Sequence, residues 1–75
     1  MRVEINKEEI IKRLDGRTLS WLLNKMNELL DEKMKITQSG FNHLINGRSE
    51  IKLIYVVVIS KILQCSIDKI YSMVD

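Results

Sequence analysis

Proline is missing from this chain altogether, and glycine occurs only at positions 16, 40 and 47. With so few backbone breakers the sequence reads as helices joined by short connections, and the glycines become its punctuation. Cysteine is almost as scarce. Cys65 stands alone, which excludes an internal disulfide framework and any multi-cysteine zinc site, and a single thiol fits a reducing compartment. The cytoplasm is therefore the expected location. Met1-Arg2-Val3-Glu4-Ile5-Asn6-Lys7 lacks the apolar run of a signal peptide, and no stretch approaches the ~20 apolar residues that span a bilayer. His43 is the only histidine, and no nucleophile is matched to a histidine and carboxylate partner. No enzyme, metal centre, cofactor or small-molecule substrate is expected.

What is present is an ordinary globular balance, 45% hydrophobic and 29% charged over 75 residues. That is enough for one core, so residues 1–75 are expected to form one domain, complete from Met1. The net charge of +2 is too small by itself to demand a polyanionic partner, but its distribution is uneven. Residues 1–32 and 53–75 are nearly balanced, whereas residues 33–52 carry Lys33, Lys35, Arg48 and Lys52 against Glu50 alone. The positive excess is local.

Asn6 with Glu9 three residues on has the form of a helix start, and Ile10, Ile11 and Leu14 share a face, so a first helix is expected from Lys7 to Leu14. Asp15-Gly16-Arg17 breaks it, and Thr18 caps a second. Leu19, Leu22, Leu23, Met26, Leu29 and Leu30 recur at helical steps, which carries the second helix to about Lys33. Met34-Lys35-Ile36 is then a connection, Thr37 caps a third helix with Phe41, Leu44 and Ile45 inward, and Asn46-Gly47 stops it. Ile51–Leu63 is β-branched in its middle. Even so, it is too long for a typical strand and has no partner strand in view, so a buried fourth helix is expected. Ser66 is expected to cap a fifth, with Ile67, Ile70, Tyr71 and Val74 inward.

At about 100° per residue, Ser39, Asn42, His43 and Asn46 fall opposite the apolar stripe of the third helix, with Gln38 flanking them. Surface helices usually spend such positions on Lys and Glu. Short, uncharged hydrogen-bonding groups suit base edges in a major groove that admits a helix, and Gln and Asn can bond adenine through N6 and N7. Thr37, the N–H groups behind it, Lys35, Asn46, Arg48 and Lys52 bracket the face as phosphate contacts. Gly40, in the first turn of this helix, fits either a close approach or the tolerance of a first turn for glycine.

This run, Thr37-Gln38-Ser39-Gly40-Phe41-Asn42-His43-Leu44-Ile45-Asn46-Gly47-Arg48 behind a Thr18-capped helix, resembles the Cro and phage-repressor type helix-turn-helix family. Ile51 to Ile70 looks like that family's fourth and fifth helices, so the resemblance covers Ile10 to Tyr71. It implies a five-helix, all-α, lambda-repressor-like DNA-binding domain that regulates transcription, a repressor from a phage or other mobile element. Leu22, Leu23 and Met26 would be core positions of the motif. Gln38, Ser39, Asn42 and His43 would face double-stranded DNA, and Phe41 and Leu44 would seat the helix. Two departures stand out. The stretch from Met26 to Thr37 is roughly eight residues longer than the family's usual connection of about three, which implies an extended second helix. Leu19 sits where the family often has a DNA-contacting glutamine, so that contact would be lost or moved to Ser20.

The apolar excess of the fourth helix points to a homodimer seam as well as a core, since two-fold pairing suits a palindromic site. Trp21 reads as a partly buried packing residue or a partner contact, and Cys65 as a small apolar filler. The alternative function is a protein-interaction module that keeps the fold, such as an antirepressor, an antitoxin or a recombination accessory factor, working through Trp21 and the fourth helix.

Overall fold

Two threonine hydroxyls set the starts of the central helices: Thr18 Oγ1 accepts from the Trp21 N–H and Thr37 Oγ1 from the Gly40 N–H, each at 3.1 Å. Each satisfies a first-turn donor that has no carbonyl within the helix. The computed structural model describes residues 2–47 and 51–74. The elements are β1 (Arg2–Ile5), α1 (Lys7–Leu14), α2 (Leu19–Leu29), a 3-10 turn (Glu32–Met34), α3 (Gln38–Ile45), α4 (Leu53–Leu63), a second 3-10 turn (Ile67–Lys69) and β2 (Tyr71–Val74). Helix α2 is the hub and packs against α1, α3 and α4. Ile10, Leu14, Leu22, Met26, Phe41, Val56, Ile59 and Ile70 are the most deeply buried side chains of one core. Among the described residues, no helix is long and apolar enough to cross a membrane.

Among the described residues, four α-helices and a two-stranded antiparallel sheet take the place of the expected five-helix, all-α arrangement. The fifth helix is only the 3-10 turn at 67–69, and Ser66 makes no side-chain cap there. From Tyr71 the chain extends and pairs with β1 in the register Val3↔Met73, Glu4↔Ser72, Ile5↔Tyr71. A helix of two turns would have been marginal, whereas strand pairing satisfies the backbone groups of both chain ends at once. The expected inward placement of the Val74 side chain lies outside the described residues.

Three smaller expectations also change. Asn6 occupies the N-cap position of α1 without capping it; its Nδ2 instead donates to the Lys69 carbonyl at 3.5 Å, and Glu9 pairs with Arg13 at 2.8 Å. Ile11, on the outer side of α1, is 49% exposed. Helix α2 stops at Leu29 and does not extend to Lys33, because Leu30 adopts an extended backbone (φ −88°, ψ 145°) that buries its side chain while leaving Leu29 61% exposed. In α4 the β-branched run is helical as anticipated. Its burial is uneven: Val56, Val58 and Ile59 are inside, Tyr55 and Ile62 are half-buried, and Leu53 and Ile54 are exposed.

Candidate nucleic-acid interface

Phe41, Leu44 and Ile45 are buried and fix the roll of α3 on the core. That leaves Gln38, Ser39, Asn42, His43 and Asn46 exposed along the other side. These are the side chains expected from the helical period, and four of them carry amide or imidazole groups.

Two of the amides are coupled. Gln38 Nε2 donates to Asn42 Oδ1 at 3.1 Å, one helical turn apart. The bond uses one N–H of Gln38 and one lone pair of Asn42. A second N–H and the carbonyl oxygen of Gln38, and both N–H groups of Asn42, stay available. The pair is thus held in one orientation with donors and an acceptor still to offer.

The approach to α3 is fixed by contacts that the sequence did not announce. Asn27, on α2, donates from Nδ2 to the Ile36 carbonyl and accepts at Oδ1 from the Ile36 N–H, both at 2.9 Å. Tyr55, on α4, donates from its hydroxyl to the Met34 carbonyl at 3.1 Å. The lengthened connection is therefore tied to two helices just before Thr37. Gly40 also has a role here. A Cβ at that position would lie 3.3 Å from both Ile36 Cγ2 and Thr37 Oγ1, so glycine leaves room for the cap and for the clamped Ile36.

The expected phosphate contacts fall into different situations. Thr37 is exposed, and its hydroxyl is engaged by Gly40; the N–H groups of Gln38 and Ser39 belong to the first turn, where the helix supplies them no carbonyl. Lys35 is exposed and paired with Glu32 at 2.8 Å. The hydrogen bond and charge of Lys35 hold the Glu32 carboxyl below its usual range. Lys52 is exposed at the N-cap of α4. Asn46, at the C-cap of α3, accepts from Lys7 Nζ at 2.9 Å. Arg48 lies outside the described residues.

Lys7 was not among the expected contacts, because it is 39 residues away in sequence and outside the basic segment 33–52. Leu19 packs against the core, so the position that the resemblance associates with a DNA-contacting glutamine faces inward, and Ser20 beside it is exposed. Trp21 is half-buried, with the Arg17 guanidinium 4.1 Å and the Lys25 ammonium 5.9 Å from the ring centre. Cys65 is half-buried against the core.

Comparison with protein-family models, with curated proteins and with solved structures finds no match to this chain.

Proposed function

We propose that this protein is a sequence-specific double-stranded DNA-binding regulator of the Cro and phage-repressor helix-turn-helix type, a transcriptional repressor that reads the major groove with α3. The observation that carries the reading is the exposed, uncharged face of Gln38, Ser39, Asn42 and His43 on a helix locked to the core by Phe41, Leu44 and Ile45. The Gln38–Asn42 bond strengthens it. Gln38 can present its carbonyl to adenine N6 and its second N–H to N7 while Asn42 buttresses the amide.

Phosphate contacts by the first turn of α3, Thr37, Lys35, Asn46, Arg48 and Lys52 would set the register of the helix on the duplex. The same reading takes the protein as a cytoplasmic homodimer matched to a two-fold site. An apolar groove between the sheet and the start of α4 supports that pairing: it is lined by Val3, Ile51, Leu53, Val56, Tyr71 and Met73, with Leu53 70% and Met73 59% exposed.

The test is a fluorescence-anisotropy titration of labelled random-sequence duplexes at several salt concentrations, with sedimentation of the free protein alongside. Salt-dependent binding supports the reading. No duplex binding at moderate salt, with a heterologous protein partner recovered instead, would establish the protein-interaction module in its place.

A further inference from the structure

Lys7 opens α1, yet its ammonium reaches the far end of α3, where Nζ donates to Asn46 Oδ1 at 2.9 Å. Both side chains are exposed. An ammonium carries three N–H donors, so two remain for another acceptor. The chain arrives at this point through the terminal sheet. Immediately before Lys7, the Asn6 N–H donates to the Ile70 carbonyl at 2.7 Å and Asn6 Nδ2 to the Lys69 carbonyl at 3.5 Å. The β1–β2 ribbon and the turn ahead of β2 therefore fix where α1 starts, and with it the position of Lys7. Nearby on α1, Glu9 is occupied by Arg13 at 2.8 Å, while Glu8 is exposed.

The eight residues of α3 make a rod about 12 Å long, and its diameter of about 10–12 Å with side chains is what a major groove about 12 Å wide admits. At one end stand the first-turn N–H groups, with Lys35 two residues ahead of the Thr37 cap and paired with Glu32; at the other stands Lys7, bonded to Asn46. Positive charge at both ends of such a helix suits the phosphate backbones that wall the groove. The partial negative charge of the α3 C-terminus also attracts an ammonium, so a purely structural role for Lys7 makes a different prediction that experiment can separate.

We infer that Lys7 is a phosphate-contacting residue of the duplex interface, positioned by Asn46 and by the terminal β-ribbon, so that the sheet delivers a cation to the reading helix. The inference rests on the proposed DNA-reading role of α3.

The experiment uses the full chain and a random-sequence duplex pool, with affinity followed against salt. Lys7→Gln should reduce the magnitude of the log Kobs against log salt slope by about 0.9, the share of one phosphate contact. It should weaken selected and scrambled duplexes in the same proportion, and Lys7→Arg should restore both the slope and the affinity. If the wild type binds but Lys7→Gln keeps the wild-type slope, the inference is overturned whatever happens to affinity or melting temperature. If the wild type binds no duplex at any salt, the DNA reading itself fails, and the role of Lys7 with it.

Discussion

Asn27 holds both backbone groups of Ile36, donating to its carbonyl and accepting from its N–H at 2.9 Å each, so that one side chain of α2 fixes the residue that precedes the cap of α3. The two bonds act in place of a short turn. A connection from Leu30 to Thr37 could otherwise adopt many conformations, and the angle at which α3 leaves α2 would be loosely set.

Asn27→Ala should cost about 1–3 kcal/mol, because two partly buried backbone groups lose their partners. For a domain of this size that lowers Tm by about 4–8 °C per kcal/mol, and a thermal melt reads it directly. Asn27→Asp should not rescue, since a carboxylate keeps the acceptor for the Ile36 N–H but faces the Ile36 carbonyl without a donor. Wild-type melting of both variants would show that the clamp is dispensable.

Gln64 ends α4 in the left-handed region, at φ 55°, where a side chain is disfavoured. Gln64→Gly should raise stability by up to about 1 kcal/mol, the strain relieved being partly offset by glycine's greater freedom in the unfolded chain. Chemical denaturation measures it, and a clear loss of stability would mean that the Gln64 side chain makes a contribution of its own.

Glu32 and Lys35 form an exposed pair whose two members have opposite consequences for a polyanion. Glu32→Gln should leave Lys35 free to meet phosphate, tightening duplex binding and steepening its salt dependence by up to about 0.9 in slope. The carboxyl is held low by Lys35, so the pair's contribution is present above the carboxyl's unfolded value and is lost as pH falls through its lowered folded value. Lys35→Gln should therefore move the Glu32 titration upward, as followed by NMR. An unmoved titration would place the cause elsewhere.

Much of this architecture could be read from the sequence, and the parts that could not share a physical reason. Local signals worked. Thr18 and Thr37 cap as expected, α1 and α3 have the expected bounds, and Phe41, Leu44 and Ile45 are the buried side of α3. Each of these depends on residues within a turn or two of one another. The sheet depends on residues at opposite ends of the chain, such as Ile5 and Tyr71. Val3-Glu4-Ile5 alternates too briefly to announce a strand, and Ile67, Ile70 and Tyr71 fit a helical period equally well. The Asn27–Ile36 clamp and the Lys7–Asn46 bond were hidden for the same reason. An asparagine in a helix or a lysine at a helix start carries no mark of the distant group it will meet, and Leu30 gave no sign that it would leave the helix to bury its side chain.

The central claim, that the outer face of α3 reads bases, is tested most directly by selecting bound sequences from a random duplex pool with the wild type, Gln38→Ala and Asn42→Ala. The wild type should enrich a defined motif. Gln38→Ala should lose preference at an adenine position by about 1–3 kcal/mol, with Asn42→Ala relaxing the same or an adjacent position, and the rest of the motif should persist. Arg48→Ala, in contrast, should weaken all sequences alike. An identical motif from all three proteins, or no enrichment by the wild type, would contradict the assignment of α3 as the reading helix.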